Sequence, residues 1–449
     1  MNLVVAAVGG AAALGLLALT IRRPVFGCAV LVLTVPLTAG LTRGAVIPVL
    51  KASEVILLVV LAGVVIHQVT TRRSRPVSGL DIAVGAYVIG SIVIPWTVLL
   101  LSHWSADLDT WRTVLLPALF LGVYYVFSRT APTHDRLRIV LNSTLVAGVI
   151  VGLIAGAEIL NLPGVRDFFA TYYPGPSQAS YRANSTLGHY SAVGAFGLLT
   201  FILALSLAAF RHRDFPGWWL AAVMGASALG MLASGTWAAL ATLPVATVIV
   251  LFYARRVPRE LIVTVACAAV LVVVLWPEIS QRIESQQLIT AQGFALPESM
   301  QTRIRYWTEF IIPALSDHLW VGTGTVIPST VPDRLTSFVD NEYLWAAFRA
   351  GLVGVALLVG MLLTIMSVAW KQRGDMDPSR RVMGAASLAT CAMLLMLGAT
   401  AQYITFAGLS QEIAMLVGVL AGLTAAVDVR RPAAVVVANP KESTALGLG

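Results

Sequence analysis

The chain has 449 residues, of which 58% are hydrophobic and only 12% charged, with a mean hydropathy of +0.83. Apolar runs of about 20 residues recur from end to end, which excludes a sizeable soluble domain and gives the fold class as an all-α, polytopic transmembrane helical bundle. In a soluble protein a net charge of +8 would point to nucleic acid; here the charges sit between apolar runs, so no nucleic-acid partner is expected.

Twelve to thirteen spans are predicted, read as 2–21, 25–41, 54–70, 80–101, 112–128, 137–159, 187–209, 217–233, 236–253, 260–277, 342–369, 382–403 and 409–427. The first run, Met1 to Thr20, has no basic residue ahead of it and Arg22 and Arg23 behind it, so it is expected to stay as a span rather than act as a signal peptide. Between Arg213 and Arg255 the apolar stretch would reach roughly 60 Å as one helix, twice the hydrocarbon thickness, so it must fold back at "SGT", 234–236. The same argument divides 382–429 near "QYITFAGLSQ". Twenty of the thirty Lys and Arg residues fall on one set of alternate connections. That set is expected to be cytoplasmic, which places the C-terminus inside and the N-terminus outside a bacterial cytoplasmic membrane.

Two long loops then lie outside, 161–186 and 278–341. Loops of this length are more often functional than not. In the second, Ile304, Trp307, Ile311 and Leu315 recur at helical spacing, which predicts short helical structure with an amphipathic helix at the outer membrane interface. Residues 1–431 are expected to form a single transmembrane domain and 432–449 a disordered cytoplasmic tail. Cys28, Cys267 and Cys391 lie within apolar runs and give neither a disulfide framework nor a metal site.

Against this background a few polar residues stand out. Arg182 sits about five residues ahead of a span on the outside, where a cation calls for a reason. Arg303 and Arg305 lie on the same side. Several outside arginines around a lipid-facing cleft suit a diphosphate, because guanidinium pairs with phosphate oxygens in a bidentate, charge-assisted way. The alternative is that each one reaches lipid headgroups or a nearby carboxylate such as Asp167 or Glu309.

Three segments carry a resemblance. "YRANSTLGHYSAVGAF" (181–196) resembles the Arg-x-x-Gly-Thr-x-Gly-His-Pro-Asn approach to a span in the O-antigen ligase and polymerase superfamily. "TRIRYWTEFIIPALSDHLWVGTGT" (302–325) is similar to its Arg-x-x-x-Trp helix and Gly-x-Gly turn, and "DNEYLWAAFRAGLVG" (340–354) to its His-Asn-x-Tyr-Leu and Glu-x-Gly-Leu-x-Gly segment. The resemblance covers roughly 180–360. It implies an inverting glycosyltransferase without metal or other cofactor. The donor would be a polyprenyl-diphosphate-linked glycan in the membrane lipid, the acceptor a glycan or glycolipid. By the same resemblance Arg182 and Arg303 hold the diphosphate; Arg305, His189, Asn341, Tyr343 and Arg349 are the further residues expected to bind substrate.

The sequence also departs from that pattern. Trp237 stands where ligases carry an Arg after the Ser-rich turn, Asp340 where they carry His, and Arg349 where they carry a helical Glu. Ligase and polymerase chemistry therefore both stay open. Asp340 has two readings, a general base for the acceptor hydroxyl and a helix N-cap. His189, near a helix start, can be a structural hydrogen bonder or a base. Glu342 and Arg349, seven apart, share a helical face and can pair with neighbouring helices. Two rival functions remain. One is a metal-dependent membrane glycosyltransferase using Asp107 and Asp109. The other is a lipid-linked glycan transporter without chemistry, against which the lack of paired halves counts.

Overall fold

The computed structural model describes residues 3–42, 50–72, 75–101, 108–130, 134–173, 181–285, 288–291, 294–324 and 339–428. The helices in chain order are α1 (Leu3–Arg22), α2 (Pro24–Thr38), α3 (Ala52–Thr71), α4 (Gly79–Leu101), α5 (Leu108–Thr130), α6 (His134–Ile159) and α7 (Val165–Tyr172). They continue with α8 (Tyr190–Ala209), α9 (Gly217–Ser234), α10 (Trp237–Ala254), α11 (Arg259–Val274) and α12 (Trp276–Glu284). The last are α13 (Glu298–Tyr306), α14 (Ile312–Ser316), α15 (Glu342–Lys371), α16 (Pro378–Leu397) and α17 (Leu409–Asp428). Among the described residues nine helices are long and apolar enough to cross a membrane, ten if α11 and α12 form one broken span. Three shorter apolar helices, α1, α2 and α17, complete a set of thirteen that stands at the thirteen predicted positions. The polytopic helical bundle read from the sequence is the fold.

Two spans differ in shape from the prediction. The run 260–277 breaks after Val274, and α12 leaves α11 at a 68° bend. Pro277 in the first turn of α12 accounts for the break, because proline lacks the N–H that would continue the α11 ladder. The run 342–369 is one helix in length but not in conformation: Ala350 and Gly351 have non-helical dihedrals, with Gly351 at φ +62°. The gap is filled by residues 319–323. Leu352 N donates to Leu319 O (2.8 Å), and Thr323 N donates to Phe348 O (2.8 Å). A Cβ on Gly351 would come within 2.1 Å of the Trp320 carbonyl carbon, so the close approach requires glycine as much as the dihedral does.

The centre of the bundle is α8, whose residues from Ser191 to Ala209 are all buried. It packs on α9, α10, α16 and α6. Small residues let these helices close up: a Cβ on Gly152 of α6 would meet Ala226 O of α9 at 2.2 Å. At the periphery, Val265, Val270 and Val273 of α11 are exposed, as expected for a face toward lipid.

The second long loop is ordered where described. A two-stranded antiparallel hairpin, β1 (Leu288–Ala291) with β2 (Phe294–Pro297), precedes α13. The predicted helical stretch is present but runs through a π-turn at Trp307–Ile311, just ahead of Pro313. The C-terminal part of its apolar stripe is covered by protein, while Ile304 stays exposed: Ile311 and Leu315 pack with Val339, Trp345 and Phe348, and Trp307 Nε1 donates to Val339 O (2.8 Å). The stripe expected at the membrane interface thus docks the loop onto the start of α15.

Candidate functional site

The segment 181–189 joins the first long loop to α8, and its shape is set by a buried carboxylate. Glu158, at the end of α6, accepts from Asn184 N (3.1 Å) and Ser185 N (2.8 Å), which holds the turn Ser185–Leu187 with Ser185 in the left-handed region. Ala183 N donates to Ala233 O (2.9 Å), pinning the segment to the end of α9. Arg182 is fixed as a result. Its Nε donates to Ser234 O (3.2 Å), and its guanidinium lies 3.1 Å from the centroid of the Tyr190 ring. Burial pushes the Arg182 pKa down to about 10, with Tyr190 acting against that and Arg282 adding to it; the side chain stays a cation at neutral pH.

Arg282, on α12, was not singled out by the sequence, yet it sits beside Arg182. Its Nε reaches Gly235 O at 3.5 Å and Nη1 donates to Ser285 Oγ (3.1 Å). Gly235 belongs to the "SGT" turn, so a guanidinium does stand at the Ser-rich turn where the resemblance expected one. It arrives from α12 rather than from position 237, where Trp237 lines a neighbouring cleft. Arg303, on α13, joins from the second loop: its charge acts on both Arg282 and His189. Three arginines from three segments thus converge at one end of the bundle.

Asp340 completes the group. Its carboxylate Oδ2 lies 3.3 Å from Arg303 Nε, both side chains being partly exposed, and its backbone is in the left-handed region at φ +53°. The helix N-cap reading of Asp340 is not what the structure shows: the cap of α15 is Asn341, whose Oδ1 accepts from Tyr343 N (2.9 Å) and Leu344 N (3.0 Å). Asp340 is left outside the helix with its carboxylate turned to an arginine.

His189 is the N-cap of α8, its Nδ1 accepting from Ser191 N (3.1 Å). Burial pushes its pKa down to about 3, and Arg182 and Arg303 act in the same direction. The ring is therefore neutral, and with Nδ1 an acceptor the proton sits on Nε2, which makes His189 a hydrogen-bond donor and not a base in this state. It lies between the arginine group and a cavity of about 600 Å³ also lined by Lys51, Glu54, Trp345, Gln402 and Gln411. On the other side, an apolar cleft of about 360 Å³ runs between α10, α11 and α12, lined by Leu240, Val272, Trp276 and Trp237, with Tyr181 and Arg282 among its lining residues.

The remaining sequence candidates are placed elsewhere. Arg305 is spent on Glu309 in an exposed pair one helical turn away (2.9 Å). Asn341 is occupied as the cap. Tyr343 Oη donates to Leu395 O (2.6 Å), joining α15 to α16. Arg349 is buried and donates to Thr113 O (2.9 Å), Ser91 O (3.0 Å) and Val114 O (3.1 Å). Ser91 and Thr113 each lie four residues before a helix-internal proline, Pro95 and Pro117. Those prolines cannot donate to them, and the guanidinium takes over both released carbonyls. Arg349 is a structural clamp on α4 and α5, not a substrate contact. Glu342, likewise expected to pair across helices, is buried and accepts from Ile404 N (2.9 Å). Asp107 and the side chain of Asp109 lie outside the described residues.

Residues 219–359 match the family model described as O-antigen ligase, a stretch that contains Arg282, Arg303 and Asp340. No curated protein matches the chain. The chain is a polytopic helical membrane protein whose residues 219–359 are similar to the O-antigen ligase family, a match that supports the resemblance to the O-antigen ligase and polymerase superfamily.

Proposed function

We propose that the protein transfers or polymerises a glycan from a polyprenyl-diphosphate donor at the outer face of the bacterial cytoplasmic membrane, with inversion at the anomeric carbon and without a metal. The observation that carries this reading is the convergence of Arg182, Arg282 and Arg303 next to an apolar cleft, with one carboxylate, Asp340, on the same group. The cleft suits a polyprenyl chain and the arginines its diphosphate, whose negative charge grows as the sugar leaves. Guanidinium groups fixed before the reaction stabilise that growing charge, the role a metal has in other transferases.

In the proposed step the acceptor hydroxyl oxygen bonds to the anomeric carbon as the bond from that carbon to the diphosphate oxygen breaks. A single displacement of this kind inverts the centre. The hydroxyl proton goes to Asp340, and polyprenyl diphosphate leaves with the electron pair. The Arg303–Asp340 pair supports a partner exchange: donor diphosphate draws Arg303 off the carboxylate and leaves it free to act as base.

Purified protein given a polyprenyl-diphosphate glycan and an acceptor tests the reading. Release of polyprenyl diphosphate with an inverted linkage in the product is expected. Recovery of the lipid-linked glycan unchanged would favour transport instead.

A further inference from the structure

At the far end of α6 and α8 from the arginine group lies a second cluster of polar side chains. His134 begins α6, and His212 and Asp214 lie in the turn between α8 and α9. With roughly 1.5 Å of rise per residue, the 26 residues of α6 put this cluster nearly 40 Å from Glu158 at the other end. One ligand atom from each of the three residues lies within 4.8 Å of the others. His134 Nε2 is 3.3 Å from Asp214 Oδ2, and His212 Nδ1 is 3.9 Å from the same oxygen.

These approaches lack hydrogen-bond geometry. His212 Nδ1 and Asp214 Oδ2 are buried and have no hydrogen-bond partner, although His212 is only 5% exposed. Orphaned buried atoms of this kind carry a cost that a common partner would remove. The other nitrogen of His212 is accounted for: Nε2 lies 3.3 Å from Ser379 Oγ, at the start of α16, which suits an Nε2–H donating to the hydroxyl and leaves the Nδ1 lone pair pointing to the cluster. The two imidazoles are nearly parallel, with centroids 5.4 Å apart.

We propose that His134, His212 and Asp214 bind one Zn²⁺. Two imidazole nitrogens and a carboxylate oxygen are a borderline donor set that favours zinc over Mg²⁺ or Ca²⁺. Zinc bonds of about 2.0–2.1 Å give tetrahedral ligand–ligand edges of roughly 3.3 Å, so the present spacings need only small side-chain movements. Water takes the fourth position, reached past His134, which is about half exposed. The surrounding charge is compatible: Asp377 and Asp135 are near, Arg380 is bound to Asp375, and the Arg381 guanidinium lies over Phe210. The ion ties the start of α6 to the α8–α9 turn and, through Ser379, to the start of α16. It would act as a staple on the end of the bundle opposite the arginines.

The test uses full-length protein, purified through a histidine-free tag, stripped with a chelator and titrated with Zn²⁺ alone. One zinc per chain is expected, with a higher thermal midpoint, and Co²⁺ in its place is expected to show the absorption of a tetrahedral nitrogen and oxygen site. His134→Ala and Asp214→Asn should each weaken zinc binding at least about 10-fold. His318→Ala, at the other end of the molecule, should leave it unchanged. His134 is exposed enough that its replacement leaves the fold intact, so it decides the matter if Asp214→Asn does not insert. Zinc uptake that His134→Ala leaves unchanged, or no saturable uptake at all, would overturn the site.

Discussion

Arg349→Met isolates the clamp on α4 and α5. The substitution keeps an unbranched apolar stem, shorter than that of arginine, but removes three donated hydrogen bonds, to Ser91 O, Thr113 O and Val114 O. Each carbonyl left unpaired away from water costs about 1–3 kcal/mol. Part of that total is offset because the buried guanidinium no longer has to be desolvated. The expected net loss is about 2–5 kcal/mol. The structure also names a rescue. Pro95→Ala and Pro117→Ala restore amide donors to Ser91 O and Thr113 O, the two acceptors that lack a donor within their own helix. In the Arg349 background those donors compete for carbonyls already bonded, so the proline changes gain less there. A double-mutant cycle on detergent denaturation midpoints compares the parent, Arg349→Met, the two proline changes together, and all three. It should show a favourable coupling of about 2 kcal/mol, roughly one for each bond regained. Additivity within about 0.5 kcal/mol would refute the clamp and return Arg349 to the list of possible substrate contacts.

Asp340→Asn should keep stability within about 1 kcal/mol, because the pair with Arg303 is partly exposed, Asn tolerates φ +53°, and the cap is Asn341. Turnover should nevertheless fall by about 10²–10⁴-fold, and a loss of only a few-fold would remove Asp340 as the base. His189, held neutral by burial with a pKa near 3, should add no inflection to the pH profile of transfer between pH 5 and 9. Its folded pKa lies below the unfolded value of about 6.5, so the unfolded state takes up the proton first as pH falls. Stability is therefore complete above about pH 6.5 and erodes below it, by at most about 1.4 kcal/mol per pH unit, and His189→Gln should flatten that slope in denaturation curves. In a background without native cysteines, Asn161→Cys should react with impermeant thiol reagents in intact cells and the exposed Met376→Cys should not. The reverse pattern would invert the topology.

The helical runs were legible because length and hydropathy are properties of a run: among the described residues nine predicted spans, ten with the broken pair, are helices long enough to cross a membrane, and three more are shorter apolar helices. Breaks inside a run were harder. The break at Gly351 depends on a turn thirty residues earlier filling it, and nothing local announces that partner. Motif order brought Arg182, Arg303, Asp340 and His189 to the same end of the molecule, whereas Arg305, Asn341, Tyr343 and Arg349 have partners within the protein that motif membership does not announce. Arg349 had a signal in Pro95 and Pro117, since two prolines within apolar runs release carbonyls that something must satisfy. Glu158 and Arg282 had none. The one builds the Asn184–Ser185 turn and the other reaches the Gly235 carbonyl from α12, and both depend on tertiary contact.

If Arg182, Arg282 and Arg303 together hold the diphosphate of the donor, as proposed, each is needed for turnover. Turnover of a polyprenyl-diphosphate glycan by purified single Ala and Lys variants at these positions, each checked for insertion and fold, tests it most directly. Every Ala variant should lose transfer and Lys should restore little, because a point charge lacks the two parallel donors of guanidinium. Near-parental turnover in the Arg182→Ala and Arg303→Ala proteins would contradict it.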